Sequence, residues 1–286
     1  MTTWNARDEP APVRIGPAGW VVAGLRGAVL GGVTYGGLAV LAIARLVEAP
    51  VFGMNRPVTP YLTRIVCRTA FGILGIRYRV RGRPMTGRGA IVANHSSWLD
   101  IFALNACQNV YFVAKSEVAG WPGIGWLARA TGTVFINRDP RQAREQNELF
   151  QARLLAGHKL LFFPEGTSTD GLRVLPFKST LFAAFYSHGL EHVMRIQPVS
   201  VIYHAPKGGA AHFYGWWGDM PFQNHFWKTL AAARQGAVDV IFHDPVSVED
   251  FASRKALAAH CESEIRRSVR DVLGPRYLGD DEERDR

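Results

Sequence analysis

The sequence predicts an α/β domain with a mainly parallel or mixed sheet flanked by helices. Short runs of β-branched and aromatic residues alternate with helical periodicity from residue 78 onward, and such alternation favours parallel strands joined by helices. Polar clusters follow three of these runs, where α/β sheets place their functional residues. An apolar stretch of 18 residues near the N-terminus further predicts a membrane-associated helix ahead of this domain.

The strand and helix predictions cover most of the domain. Seven runs are predicted as strands, at residues 78–81, 90–94, 110–114, 133–137, 159–163, 196–203 and 238–242. Helices are predicted at residues 98–106, 141–155, 179–187 and 252–273. The last helix has one buried face, formed by Ala258, Cys261, Ile265, Val269 and Val272 at spacings of three and four.

The N-terminal apolar stretch, residues 27–44, contains no charged side chain. As a helix it would span about 27 Å, close to the thickness of a bilayer core. It includes the GxxxG pairs Gly27/Gly31 and Gly32/Gly36, which allow close helix approach. Residues 61–76 predict a second, amphipathic helix. We therefore predict a membrane-associated helix pair over residues 18–77, with a buried core helix or a signal peptide as alternatives.

The charge pattern and the cysteines narrow the class of protein. The net charge is +9, and eight arginines without any acid lie between Arg56 and Arg88, which suggests an anionic membrane surface or a solvated basic face. No nucleic-acid motif accompanies them, so no nucleic-acid partner is expected. The three widely spaced cysteines indicate neither a disulfide framework nor a CxxC metal site, and they fit a reducing, cytoplasm-facing setting.

The chain divides into four predicted parts. Residues 1–17 are a flexible N-terminus, 18–77 the helix pair, 78–278 the α/β domain and 279–286 an acidic tail. Few apolar residues and many charges in the tail predict that it is solvated.

Polar clusters follow the predicted strands at residues 94–95, 137–139 and 164–167. In the first cluster His95 and Asp100 are five residues apart, Ser96 or Ser97 would cap the next helix, and a turn at the histidine would join imidazole and carboxylate. A histidine can act as a general base near neutral pH, and a carboxylate on the other ring nitrogen would fix the tautomer. With nine histidines in the chain, the spacing alone is weak evidence.

Taken together, the clusters resemble four ordered motifs of the bacterial 1-acylglycerol-3-phosphate acyltransferase (lysophosphatidic acid acyltransferase) family, over about residues 79–244. The motifs read Asn94-His95 through Asp100 (the HX4D motif), Phe135-Ile136-Asn137-Arg138, Phe163-Pro164-Glu165-Gly166-Thr167 and Gln197-Pro198-Val199. The resemblance implies an O-acyltransferase of membrane lipid biosynthesis that transfers a fatty acyl group from acyl-ACP or acyl-CoA to the hydroxyl of a lysolipid. It implies a bacterial inner-membrane location with the catalytic domain facing the cytoplasm, and no cofactor or metal.

The resemblance also implies a role for each motif residue. His95 would be the general base, oriented by Asp100, and Pro198 and Val199 would support the acyl region. The planar guanidinium of Arg138 suits phosphate or carboxylate, although a surface ion pair with Asp139 is an alternative; Glu165 could instead cap a helix. The predicted acceptor-binding residues are Arg138, Glu165, Gly166, Thr167, Ser168, Asp170 and Lys115.

One position departs from the family pattern. The third motif usually continues with an arginine assigned to the acceptor's phosphate, and this chain has Ser168 there. Either another base substitutes (Arg173, Lys178 or Lys115), or the acceptor lacks a phosphomonoester. The variant looks like the subgroup that acylates lyso-aminolipids such as lyso-ornithine lipid, where Asp170 would face an ammonium. We favour this acceptor, with synthesis of phosphatidic acid as the alternative.

Two other features of the sequence have more than one interpretation. Residues 213–227 contain seven aromatics, which suit a bilayer interface, an acyl groove or an ordinary packed loop. His188 to His192 match the HxxEH pattern of zinc peptidases, but a helix end near Gly189 would separate the histidines. A zinc hydrolase and a non-catalytic membrane scaffold are therefore the alternatives from other classes. A serine hydrolase is not supported, because GxSxG is absent.

Overall fold

The computed structural model describes residues 4, 10, 13–137, 143–186 and 190–279. Its centre is a mixed sheet in the order β1-β7-β6-β2-β5-β3-β4, with a short β8 beside β6. The strands are β1 (Arg77–Arg81), β2 (Gly89–Ala93), β3 (Tyr111–Lys115), β4 (Val134–Ile136), β5 (Leu160–Phe162), β6 (Arg195–His204), β7 (Ala237–Phe242) and β8 (Val246–Ser247). The predicted α/β class is confirmed.

The central strands run parallel, which brings their carboxyl ends to one edge of the sheet. β6, β2, β5, β3 and β4 are parallel to their neighbours in this order, whereas β7 and β8 are antiparallel to β6 and β1 is parallel to β7. Each of the seven predicted runs forms a strand within one residue at either end. β8 was not predicted because two residues are too short to show a period.

The helices cover both faces of the sheet. They are α1 (Pro17–Phe52), α2 (Thr59–Leu74), α3 (Leu99–Cys107), α4 (Ile124–Thr131), α5 (Ala143–Leu155), α6 (Phe222–Ala231) and α7 (Arg254–Leu273). Side chains of α1, α2, α3 and α6 form the core on one face, and side chains of α5 and α7 form the core on the other. On α7 the predicted face is buried at Ala258, Cys261, Ile265 and Val269, and Val272 is half-buried.

The helix predicted at residues 179–187 is wrong in type. Ser179–Tyr186 forms a 3-10 helix. Phe182 and Phe185 are both fully buried, and their spacing of three places them on one side of a 3-10 helix, which has three residues per turn. The residues that follow, 187–189, lie outside the described part of the chain.

α1 is twice as long as the apolar stretch that predicted it. It has 36 residues, which correspond to about 54 Å, and it is the one described helix long and apolar enough to cross a membrane. Only 11% of its most apolar 18-residue segment is buried. Leu25, Ile43 and Leu46 are among the exposed side chains of this helix. The alternative of a buried core helix is therefore not supported by its packing.

Close packing of α1 involves other glycines than most of those in the predicted GxxxG pairs. Gly31, Gly32 and Gly36 have no neighbour within 4 Å of a Cβ placed on them, so these positions do not mediate close packing in the described chain. Gly37 does, since its Cβ would lie 2.5 Å from Val66 Cγ2 on α2. Gly27 similarly faces Trp227 on α6 at 3.3 Å.

Three of the eight arginines between Arg56 and Arg88 bind backbone carbonyl groups of the α/β domain. Arg56 donates to the Ala130 carbonyl at the end of α4 at 2.8 Å, and Arg68 and Arg64 donate to the Ala106 carbonyl near the end of α3 at 2.7 and 3.3 Å. Arginines near a helix C-terminus satisfy carbonyls that have no partner within the helix. These three side chains therefore join α2 and its preceding loop to the α/β domain.

Candidate active site

The first site segment leaves the sheet at the end of β2. Asn94, the next residue, binds β6 with both polar atoms of its side chain. Its Nδ2 donates to the Val201 carbonyl at 2.9 Å, and its Oδ1 accepts from the Val201 N–H at 2.8 Å. The amide thereby continues the strand pairing by one step and fixes where His95 leaves the sheet.

His95 and Asp100 meet as the turn predicted. His95 Nδ1 lies 2.7 Å from Asp100 Oδ2. The Asp100 side chain is fully buried, whereas that of His95 is 20% exposed. A carboxylate at Nδ1 favours the tautomer with its proton there, which leaves Nε2 as the basic nitrogen. No hydrogen bond from another described residue reaches Nε2.

The carboxylate of Asp100 also organises the start of α3. Its Oδ2 accepts from the backbone N–H groups of Ser96 and Ser97 at 2.8 and 3.0 Å. α3 has no side-chain cap at Trp98, so the expected serine cap does not form, and Ser97 Oγ makes only a 3.4 Å contact to Leu99 N. Asp100 instead binds the turn that precedes the helix. Negative charge in the first turn of a helix is stabilising.

The ring of His95 is held on its flat side by Phe163, which follows β5. The two rings stack with centroids 4.0 Å apart and an interplanar angle of 11°. Thr169 holds the backbone, since its N–H donates to the His95 carbonyl at 2.9 Å. Neither contact follows from local sequence, because both join residues from distant parts of the chain.

Glu165 binds the backbone of His95. Its Oε1 accepts from His95 N at 2.7 Å and its Oε2 accepts from Leu175 N at 2.8 Å, and the side chain is buried. No helix follows it directly, so it is not the helix cap considered above. Burial, and then the Asp100 charge, raise its pKa to about 8 against the lowering effect of the two backbone bonds.

Gly166, Thr167 and Ser168 form the turn after Glu165. Gly166 has φ +73°, and a Cβ on it would lie 2.5 Å from Lys178 Nζ. Lys178 donates its backbone N–H to the Pro164 carbonyl at 2.9 Å, and its side chain is exposed. Lys178 thus lies beside the turn in which Ser168 replaces the family arginine.

The Asp170 carboxylate forms hydrogen bonds with neighbours in its own loop. Its Oδ1 accepts from Leu172 N at 2.9 Å and its Oδ2 accepts from Arg173 Nε at 3.2 Å, and it is 6% exposed. Arg173 also stacks over the ring of Trp4 at 5.0 Å. As placed, the Asp170 carboxylate has little exposed surface with which to meet an ammonium group.

The other predicted residues that the structure describes lie near this edge of the sheet. Lys115 is exposed at the end of β3, and Asn137 is exposed just after β4. Arg138 lies outside the described residues. Pro198 and Val199 are buried in β6 opposite Val92 and Ala93 of β2, so they support the strand that presents His95.

The aromatic segment at residues 213–227 packs against the site rather than lying free. Tyr214 and Trp217 are buried. Trp98, between His95 and Asp100 in sequence, donates its Nε1–H to His225 Nδ1 at 3.0 Å. Burial and then the Lys228 charge lower the pKa of His225 to about 3, so its ring remains a neutral acceptor. These contacts favour the packed-loop reading.

The described residues contain no cluster of three His, Cys, Asp or Glu side chains suited to a metal. Of the HxxEH pattern, His188 and Gly189 lie outside those residues, and His192 is on the surface, 3.4 Å from Glu249. The three cysteines are free and buried.

Comparison with known proteins identifies the family to which this chain belongs. A family model described as Acyltransferase matches residues 77–202. The lyso-ornithine lipid O-acyltransferase of Rhodobacter capsulatus is 60% identical over 260 residues, which cover 91% of this chain and 94% of the relative. The enzyme of the same name from Brucella abortus is 38% identical, over 77% of this chain and 85% of the relative.

Two further matches have lower sequence identity to this chain. The 1-acyl-sn-glycerol-3-phosphate acyltransferase of Neisseria gonorrhoeae is 32% identical, over 67% of this chain and 73% of the relative. The crystal structure of the 1-acyl-sn-glycerophosphate acyltransferase of Thermotoga maritima has the same fold, with a TM-score of 0.59 at 23% identity over 88% of this chain and 98% of that one. The protein therefore belongs to the acyltransferase family that includes the lyso-ornithine lipid and 1-acylglycerol-3-phosphate acyltransferases, and it is an acyltransferase.

Proposed function

We propose that this enzyme transfers a fatty acyl group from an acyl thioester, acyl-ACP or acyl-CoA, to the free hydroxyl of lyso-ornithine lipid or a related lyso-aminolipid. The observation that carries the reaction type is the contact between His95 Nδ1 and the buried Asp100, with Nε2 left for the hydroxyl proton. The acceptor is supported by the name of the Rhodobacter capsulatus relative and by Ser168 in place of the family arginine.

The reaction proceeds by direct attack. His95 Nε2 takes the proton as the acceptor's hydroxyl oxygen bonds to the thioester carbonyl carbon, and the Asp100 carboxylate stabilises the resulting imidazolium. The tetrahedral intermediate then collapses, the C–S bond breaks, and the leaving thiolate receives the proton from His95. The products are the ester and the free thiol, and the protein forms no covalent bond to the acyl group.

The head group would be bound by two cationic side chains from the motif-bearing segments of the chain. We assign Arg138 and Lys178 to the carboxylate of an ornithine head group, since guanidinium and ammonium groups both bind carboxylates. Lys178 is supported by its position beside Gly166. Among the described residues, no carboxylate lies within ion-pair distance of its Nζ. Lysophosphatidate is the alternative acceptor, as in the Neisseria gonorrhoeae relative's name.

The enzyme would work at a bilayer, because its acceptor is a lipid. The apolar, largely exposed α1 supports attachment to a membrane. In a bacterial cell this would be the inner membrane, with the α/β domain on the cytoplasmic side, where acyl thioesters are made.

The test is an acceptor comparison with purified enzyme in mixed micelles. Lyso-ornithine lipid and lysophosphatidate are each supplied with acyl-ACP and with acyl-CoA, and product is measured by mass spectrometry. We expect acylation of lyso-ornithine lipid, and a roughly hundredfold or greater loss in His95→Ala. Clear preference of the wild type for lysophosphatidate would refute the acceptor assignment.

Ser168→Arg is the matched specificity variant. Restoring the family arginine adds a cation suited to a phosphomonoester, so activity with lysophosphatidate should rise relative to lyso-ornithine lipid. An unchanged ratio would show that Ser168 does not set the acceptor.

A further inference from the structure

The two oxygens of Asp100 are used unequally. Oδ2 takes His95 Nδ1 and the N–H groups of Ser96 and Ser97. Oδ1 is buried and has no hydrogen-bond partner among the described residues. A buried carboxylate oxygen without a donor is costly, and such an atom calls for an explanation.

Tyr203 is a neighbour of the Asp100 carboxylate. It lies on β6, two residues beyond the Val201 that Asn94 binds, and therefore on the same face of the sheet. It is 6% exposed, and its ring packs against Tyr214 with centroids 5.5 Å apart. Its hydroxyl is also buried without a partner in the described chain.

The phenol and the carboxylate interact although their geometry falls short of a full hydrogen bond. Burial, and then the charge of Asp100, raise the pKa of Tyr203 well above its usual value. The phenol therefore keeps its proton, which makes it a donor opposite an acceptor. Catalytic hydrogen bonds are often long in unliganded enzymes and shorten when substrate binds.

We propose that Tyr203 is a positioning residue, whose hydroxyl donates to Asp100 Oδ1 during catalysis and so fixes the carboxylate that orients His95. The two orphaned, buried polar atoms would satisfy each other, and the carboxylate would be held from both sides. Tyr203 acts through Asp100 and touches neither substrate. The inference rests on the proposed role of His95 as the base.

The hydroxyl also moderates the charge of Asp100. A donor at Oδ1 stabilises the carboxylate and weakens its hold on the imidazolium, so loss of the donor should favour protonated His95. The other titratable groups here are Glu165, from the turn after β5, which interacts with Asp100, and Tyr78 and Tyr214, which interact with Tyr203. All three are unaltered in Tyr203→Phe, so a change in the pH profile isolates the Tyr203 hydroxyl.

The experiment compares Tyr203→Phe with Tyr78→Phe. Tyr78 is the matched control, because it lies on β1 and its hydroxyl donates to the Ala103 carbonyl at 2.9 Å rather than to Asp100. The measured quantities are kcat, KM for the acceptor that the wild type uses, and kcat/KM against pH, with melting temperatures as the check on folding.

We expect Tyr203→Phe to keep its KM, lose about tenfold in kcat and shift the acid limb of its kcat/KM profile upward by about half a pH unit. Tyr78→Phe should leave that limb in place. A Tyr203→Phe profile that superimposes on the wild type, or an equal shift in both variants, would overturn the proposal. Retained activity in His95→Ala would instead overturn the role of His95, so the two failures are distinguishable.

Discussion

His95 is held by groups from two segments of the chain, the first turn of α3 and the loop after β5. Asp100 holds ring nitrogen Nδ1, Phe163 holds the ring plane, and Glu165 and Thr169 hold the backbone N–H and carbonyl. Each partner restricts a different motion of the same residue. If His95 is the base, as proposed, it is aligned during folding, and little reorganisation is left for the moment of reaction.

Glu165→Gln tests the buried carboxyl group. The folded-state pKa of Glu165 is about 8 against an ordinary value of 4.5, so the folded protein retains a proton that the unfolded chain releases. The stability from this group is complete below about pH 4.5 and is lost as pH rises towards 8. We expect the melting temperature of the wild type to fall more steeply than that of the variant over this range.

Glu117→Gln is the control for this measurement, because Glu117 is exposed and accepts a hydrogen bond from the Ser116 hydroxyl, which does not titrate, so its substitution should leave the wild-type slope intact. Parallel melting curves for wild type and Glu165→Gln between pH 5 and pH 8 would contradict the assigned pKa.

The sequence could predict the His95 and Asp100 contact because five residues and one turn join them. It could not predict the partners of Glu165 or the stacking of Phe163, since these link residues about 70 positions apart. The position of Glu165 in a motif indicated importance, but its bond to the His95 backbone depends on β2 and β5 being neighbours. That adjacency is a property of the sheet order, which local patterns do not encode.

At the scale of elements, the junction of α1 and α2 depends on one carboxylate. Glu48 near the end of α1 accepts from Val58 N at 2.7 Å, Thr59 N at 3.2 Å and Thr59 Oγ1 at 2.6 Å. α2 has no side-chain cap of its own at Val58, so Glu48 caps it from the preceding helix. The angle between the helices is set here and at the Gly37 contact with Val66.

Glu48→Ala should loosen this junction. It leaves the buried donors around Thr59 without an acceptor, which costs about 1–3 kcal/mol in unfolding free energy. We expect a lower melting temperature of the detergent-solubilised enzyme and faster proteolysis in the loop between α1 and α2. Glu117→Ala, at an exposed position, is the control, and equal melting temperatures for the two variants would argue against the cap.

The predictions of strands succeeded because of residue type and run length. Strands β1 to β7 are short runs of branched and aromatic residues, which favour strands. β2 and β5 are buried at every position, so they show no alternation. The segment Ser179–Tyr186 was assigned the wrong helix type, because spacings of three suit both α and 3-10 helices and tertiary packing of its phenylalanines decides.

On the scale of the whole molecule, exposed apolar surface concentrates on α1. Leu25, Ile43 and Leu46 are 67, 66 and 75% exposed, although one side of the helix packs on α2 and α6. An apolar face of this kind is stable where lipid replaces water. The enzyme would thus meet its acceptor from within the layer in which that lipid resides.

Leu25→Asp combined with Ile43→Asp tests this attachment. A carboxylate in the hydrocarbon region costs about 2.5–3.5 kcal/mol, so co-sedimentation with anionic vesicles should fall at least tenfold. Val193→Asp, at an exposed position outside α1, should bind like the wild type. Undiminished binding of the double variant would show that α1 does not enter the bilayer.

The free Nε2 of His95 has a kinetic consequence. In the proposed mechanism His95 Nε2 activates the acceptor hydroxyl directly, and none of the described serine or cysteine side chains forms a hydrogen bond with this nitrogen. We therefore expect no acyl-enzyme intermediate. Donor and acceptor must then occupy the enzyme together, so initial-rate plots at several fixed donor concentrations should intersect rather than run parallel. Release of the thiol would also stop when the acceptor is exhausted. The supply of lysolipid would therefore limit how much acyl thioester the enzyme consumes.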